Sequence, residues 1–124
     1  MSERDPQRDI QSDTQSNAGA RHVLDVLYET VESRRGADPA SSWTARLLAG
    51  GVPAVAKKTG EEAVEAILAA MAEDPEALTA ESADLLYHLL VLWAACGVTP
   101  DRVWRELERR EGTSGLAEKA ARTP

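Results

Sequence analysis

Phenylalanine is absent from this 124-residue chain, and aromatic residues make up only 4% of it. A core must therefore be built from Leu, Val, Ile and Ala, a mixture with few β-branched runs that favours helices over strands. Cysteine is nearly absent too. The single residue, Cys96, excludes an intramolecular disulfide and a cysteine-based zinc site. It lies in an apolar run and reads as a small core residue. Excess positive charge is missing: the formal net charge is −7, which argues against a broad basic surface and a nucleic-acid partner. Local cations or a metal ion can still attract a phosphorylated substrate to an acidic protein. Long hydrophobic runs are also missing. Leu85 to Val98 is the longest nearly uncharged stretch, too short to span a bilayer comfortably and interrupted by His88. No apolar signal-like segment leads the chain, so a cytoplasmic protein without membrane contact is expected.

A chain of this length is one small domain, of a size that often gains stability by oligomerising. Residues 1–18 are polar and poor in large apolar side chains, and are expected to be a disordered extension. Residues 19–112 should form an all-α domain, and 113–124 a loosely attached tail that Leu116 could anchor. Five helices are expected. The first runs from Gly19 to Ser33, with Val23, Val26, Leu27 and Val31 as its stripe. A short second, capped by Ser41 or Ser42, carries Trp43, Ala45, Leu47 and Leu48 and stops at Gly50-Gly51. The third should run from Pro53 to Glu73, before Asp74-Pro75. The fourth should start at a Thr79 cap and end at Cys96, with Gly97 beyond it. The fifth opens at Thr99-Pro100 and ends at Glu111.

The third and fourth helices hold the informative charges. Val64, Ile67, Leu68 and Met71 recur at the spacing of a buried face. Glu61, Glu62 and Glu65 fall on the other side, each within a turn of a neighbour. Like charges this close repel unless a cation sits among them, although for this helix taken alone a solvated acidic face with Lys58 pairing Glu62 is the better explanation. In the fourth helix, Leu85 to Cys96 has no formally charged residue, which predicts burial on all sides. Glu81, Asp84 and His88 share one face. Asp84 leads directly into the apolar stretch, and a carboxylate there needs a partner. Two consecutive antiparallel helices would bring the E-x-x-E and E-x-x-D pairs together. Hard carboxylate oxygens suit Mg²⁺, or Mn²⁺ in its place, and point to attack of water on a phosphoanhydride. Arg46 and Lys58 flank the Gly50-Gly51 turn and are candidate phosphate contacts. His88 could be an acid or base, or a hydrogen-bonded core histidine. Gly60, inside a helix at a cost of about 1 kcal/mol relative to Ala, needs close approach of a helix or substrate to justify it.

Three segments carry a resemblance to a known family: Ser42-Trp43-Thr44-Ala45-Arg46-Leu47-Leu48, Lys58-Thr59-Gly60-Glu61-Glu62-Ala63-Val64-Glu65, and Glu81-Ser82-Ala83-Asp84-Leu85-Leu86-Tyr87-His88-Leu89-Leu90-Val91-Leu92. With Ser114 to Lys119 they resemble the phosphoribosyl-ATP pyrophosphatases of histidine biosynthesis, from about Val23 to Arg122. Either acidic pair alone would indicate only the wider all-α, MazG-like nucleoside-triphosphate pyrophosphohydrolases. The resemblance implies Mg²⁺-dependent hydrolysis of phosphoribosyl-ATP to phosphoribosyl-AMP and pyrophosphate. It implies Glu62, Glu65, Glu81 and Asp84 as metal ligands with Glu61 close by, Arg46 and Lys58 at the phosphates, and a helical bundle completed as a homodimer or larger assembly. Trp43 departs from the family's usual Tyr, and Thr59 from its usual aliphatic residue. The competing readings are a MazG-type enzyme for another nucleotide and a non-catalytic helical dimer.

Overall fold

The structure, a computed structural model, describes residues 21–111 and 115–122. The extension at 1–18 lies outside the described residues, as do Gly19 and Ala20 and the side chain of Leu116. Among the described residues six helices follow one another: α1 (Val23–Ser33), α2 (Trp43–Ala49), α3 (Gly51–Met71), α4 (Pro75–Cys96), α5 (Pro100–Arg110) and α6 (Gly115–Arg122). There is no strand among the described residues. The all-α architecture is thus as expected.

Local chemistry sets most boundaries. His22 caps α1, its ring nitrogen accepting from the Leu24 N–H. The Ser42 hydroxyl accepts from the Ala45 N–H and starts α2. Gly50 ends α2, and Gly51 at φ +83° turns the chain directly into α3. That left-handed conformation suits glycine, so α3 begins at Gly51 and not at Pro53. Asp74-Pro75 starts α4 instead of merely ending α3. The Asp74 side chain accepts from the Ala77 N–H and proline takes the first turn, where its missing donor costs nothing. Thr79 is therefore inside α4, donating to the Pro75 carbonyl at 2.7 Å. Gly97, left-handed at φ +73°, closes α4, and Thr99 caps α5.

The helices α3 and α4 are joined by three residues and make the most extensive contact in the chain, an antiparallel αα-hairpin. At the open end of this hairpin α1 packs on α4, and α2 packs on both arms. Val26, Leu27, Val31, Leu47, Val55, Tyr87, Leu90, Val91 and Ala94 form the core there. Tyr87 and Thr44 share a buried 2.6 Å hydrogen bond between α4 and α2. The Tyr28 hydroxyl donates to the Val98 carbonyl, and burial raises its pKa above the ordinary value. Trp104 of α5 donates to the Asp25 carboxylate of α1 at 2.9 Å and meets Trp93 edge-on.

The hairpin tip is different. Val64, Ile67, Leu68 and Met71, expected to face the core, are exposed in the single chain, Met71 by 77%. Within α3 the buried residues are Val55, Ala66 and Ala69. Small residues let the two arms approach closely, and the larger apolar residues are left outside. The apolar half of α4 is likewise not covered all round, since Leu86 is exposed. Cys96, expected in the core, is exposed at the end of α4.

Candidate metal and phosphate site

The carboxylates gather midway along the hairpin, between the packed end and the bare tip. Glu62 from α3 and Glu81 and Asp84 from α4 each offer an oxygen, all within 4.8 Å of one another. The antiparallel arrangement accounts for this, because it sets residues before the turn opposite residues after it. Glu62 and Glu81 are half-buried, the Glu62 side chain 13% exposed. Asp84, which the sequence marked as needing a partner through burial, is exposed. At Asp84 itself the neighbouring carboxylates, and not burial, are what a cation would offset.

Crowding of like charges is visible in Glu81. Its carboxyl is held above the usual carboxylate range, by desolvation first and then by Asp84, Glu62 and Glu65. A hydrogen bond with Glu62 acts in the same direction, since two carboxylates share one only when a proton lies between them. A proton is the weakest substitute for a cation here. Hard oxygen donors on opposite arms, with one side open to solvent, fit a divalent ion that keeps part of its shell for water and phosphate. Glu65 contributes to this field without joining the tight triplet, and Glu61 is exposed on the flank.

The cations lie on the α2 side. The Lys58 ammonium is 3.7 Å from Glu61 and 3.6 Å from Glu62, so the intrahelical pairing anticipated for it exists. It also lies 6.0 Å from the centre of the Trp43 ring, and the Arg46 guanidinium lies 5.8 Å from the same centre. Arg46 donates to the Pro39 carbonyl at 3.2 Å, holding the side chain back across α2. Arg46, Lys58 and the triplet thus form one continuous strip, cationic at one end and acidic at the other. Lys57 is exposed. A Cβ at Gly60 would meet nothing within 4 Å, so helix packing does not account for this glycine.

Behind the strip lie contacts that the sequence did not reveal. His88 is buried at 5% exposure, and its Nδ1 is 2.7 Å from the Asp84 carbonyl oxygen. Trp43 Nε1 donates to His88 Nε2 at 3.5 Å. The Thr59 hydroxyl lies 2.8 Å from the Val55 carbonyl and 3.3 Å from the His88 carbonyl. The two departures from the family pattern, Trp43 and Thr59, remove no carboxylate, and both touch His88. These bonds run between helices, so no spacing along the chain signals them.

Fold and site together define a helical protein with a hard-oxygen cluster across an αα-hairpin and a basic pair beside it. The chain belongs to the phosphoribosyl-ATP pyrophosphohydrolase family, whose sequence profile matches residues 24–111. It is similar to the phosphoribosyl-ATP pyrophosphatase of Cereibacter sphaeroides, 62% identical over 100 residues covering 81% of this chain and 97% of the relative. That of Rhodospirillum rubrum is 59% identical over 100 residues, 81% of this chain and 86% of the relative. That of Granulibacter bethesdensis is 61% identical over 103 residues, 83% of this chain but 64% of a longer relative.

Proposed function

We propose that this protein hydrolyses phosphoribosyl-ATP to phosphoribosyl-AMP and pyrophosphate, with Mg²⁺ held by Glu62, Glu81 and Asp84 and assisted by Glu65. The observation that carries the reading is the triplet, three carboxylates from both arms of the hairpin within 4.8 Å of one another. Family membership supplies the substrate. When bound, the ion would polarise the phosphoanhydride and lower the pKa of water near it. The chain's own residues do the remainder. The Glu81 carboxyl, whose pKa desolvation and its acidic neighbours raise, would be held charged by the bound ion. Arg46 and Lys58, at the cationic end of the strip, bind the non-bridging phosphate oxygens and orient the leaving pyrophosphate. Glu61, exposed beside Lys58, keeps that ammonium from closing permanently on Glu62. The open space over Gly60 is room for substrate to lie against the α3 backbone.

The working form is a homodimer or larger assembly. Val64, Ile67, Leu68 and Met71 form an exposed stripe along the hairpin tip. Full burial of such side chains is worth roughly 1.5–3 kcal/mol each. Across two copies that offsets an association cost of roughly 4–15 kcal/mol. A second hairpin offers the matching surface. No single helix among the described residues is long and apolar enough to cross a membrane. A cytoplasmic location suits a nucleotide substrate of this kind.

The test is pyrophosphate release from a panel containing phosphoribosyl-ATP and the ordinary nucleoside triphosphates, with Mg²⁺ and with chelator. Cleavage of phosphoribosyl-ATP alone, lost with chelator, is the expected result. Cleavage of another triphosphate with phosphoribosyl-ATP ignored would overturn the substrate assignment.

A further inference from the structure

We infer that His88 is a positioning residue of this site, an imidazole protonated on Nδ1 that holds Trp43 of α2, the indole beside Arg46 and Lys58, in register with Asp84 of α4. The inference rests on the functional reading above for what the register serves, but the hydrogen bonds that motivate it do not.

The donor and acceptor inventory fixes the tautomer. The Asp84 carbonyl can only accept, so Nδ1, 2.7 Å away, must donate. The Trp43 indole N–H can only donate, so Nε2 must accept. One neutral tautomer satisfies both. With both ring nitrogens committed and the side chain buried, neither is open to a substrate proton. The ring acts by where it stands.

It stands where the three site-bearing helices meet. Through Nε2 it ties α4 to Trp43 of α2, and Arg46 lies one turn along α2 with its guanidinium over the same indole. Its backbone carbonyl lies 3.3 Å from the hydroxyl of Thr59 of α3, whose single proton also has the Val55 carbonyl at 2.8 Å, so the ring's own ties are to α2 and α4. Through Nδ1 it holds the peptide of Asp84 itself, one turn back on α4. Each partner is thus a side chain or peptide within a turn of a site residue. Loss of the ring would remove the Trp43 tie while the Thr44–Tyr87 bond still holds α2 to α4, and would loosen the indole beside which Arg46 and Lys58 lie. Displacing reacting groups by about 1 Å can cost on the order of 10²-fold in rate, so a partial loosening should cost about tenfold.

The experiment combines three readouts on the full chain. Long-range ¹H–¹⁵N NMR of histidine-labelled protein should find His88 in the Nδ1–H form. Electron paramagnetic resonance titration with Mn²⁺ alone should show affinity reduced severalfold in His88→Gln. Trp43→Phe, which keeps the aromatic packing and removes only the N–H, should lower kcat/KM for phosphoribosyl-ATP about tenfold at unchanged helical CD. An Nε2–H tautomer would overturn the inference. So would wild-type Mn²⁺ affinity in folded His88→Gln, or wild-type kcat/KM in Trp43→Phe, since a merely structural role would lower the melting temperature and move neither. If His88→Gln fails to fold, the tautomer and Trp43→Phe decide. If the parent protein ignores phosphoribosyl-ATP, the substrate assignment fails alone, and the tautomer and the Mn²⁺ titrations of both variants still decide the role of His88.

Discussion

The two ends of the α3–α4 hairpin are built from the same residue types and have opposite fates. At the open end Val55, Tyr87, Leu90 and Val91 are essentially sealed by α1 and α2. At the tip Val64, Ile67, Leu68 and Met71 stand in solvent, while Ala66 and Ala69 are buried. The difference is one of supply: this chain has two more helices to lay over one end and none among its described residues to lay over the other. The carboxylate triplet lies at the border. It draws rigidity from the sealed end and openness to substrate from the bare one. Function on this account needs both, a fixed set of oxygens and a face that only another molecule completes.

The largest expected effect lies at the border. Glu62→Gln and Asp84→Asn should each lower kcat by at least about 10³-fold, the scale lost when a group stabilising developing charge is removed. Helical CD and assembly should be unchanged, because neither residue packs in the core. Activity within tenfold of wild type in both would remove the triplet from the chemistry. Next comes the tip. Ile67→Glu or Leu68→Glu places charge in the proposed contact and should convert the assembly to monomer in sedimentation at micromolar concentration. A monomeric parent protein, or an assembly indifferent to both substitutions, would refute the second-copy cover.

A smaller effect separates the metal from the proton at the site. The Glu81 pKa is raised in the fold, so the folded state binds that proton more readily than the unfolded chain. Its contribution is therefore favourable at low pH and is lost as pH rises through the raised value. Mg²⁺ should reverse this. At tenfold excess over its dissociation constant it adds about 1.4 kcal/mol, a melting-temperature gain of several degrees at pH 7 that should shrink towards pH 4.5. Glu106 works in the other direction in a separate window. Arg109 and Arg110 hydrogen bonds hold its pKa down to about 2, so its support for α5 is present above the ordinary carboxylate range and fades only as pH falls towards 2. A gain with Mg²⁺ independent of pH would contradict the carboxylate assignment. The smallest effect tests the turn beneath the tip. Glu73 adopts φ +55°, a conformation costing a non-glycine residue roughly 1 kcal/mol. Glu73→Gly should recover part of that, read as a denaturation midpoint shifted upward with the slope unchanged.

Much of this was legible along the chain, and the boundary between legible and hidden follows the range of the interactions. Ser42, Thr99 and Gly97 were readable because caps act within three or four residues. Asp74-Pro75 was read as a stop and turned out to be a start, since the same dipeptide serves both when two helices nearly abut. The acidic pairs were readable because their spacing matches the helical turn. The apolar run after Asp84 points to burial, yet Asp84 is exposed and the half-buried carboxylates are Glu62 and Glu81. The stripe from Val64 to Met71 announced a need for cover, but periodicity does not say which chain supplies it. Cys96 in an apolar run looked internal because the run does not reveal where the helix leaves the core. The bonds of His88 to Trp43 and Thr59 span 45 and 29 residues, and nothing local encodes them.

One measurement bears most directly on the central claim, an anomalous-scattering map of crystals grown with Mn²⁺. The account predicts a peak between the arms of the hairpin, with oxygens of Glu62, Glu81 and Asp84 in its coordination shell and water completing it. Mn²⁺ bound elsewhere with no peak at this triplet, or no bound Mn²⁺ at saturating concentration, would contradict it.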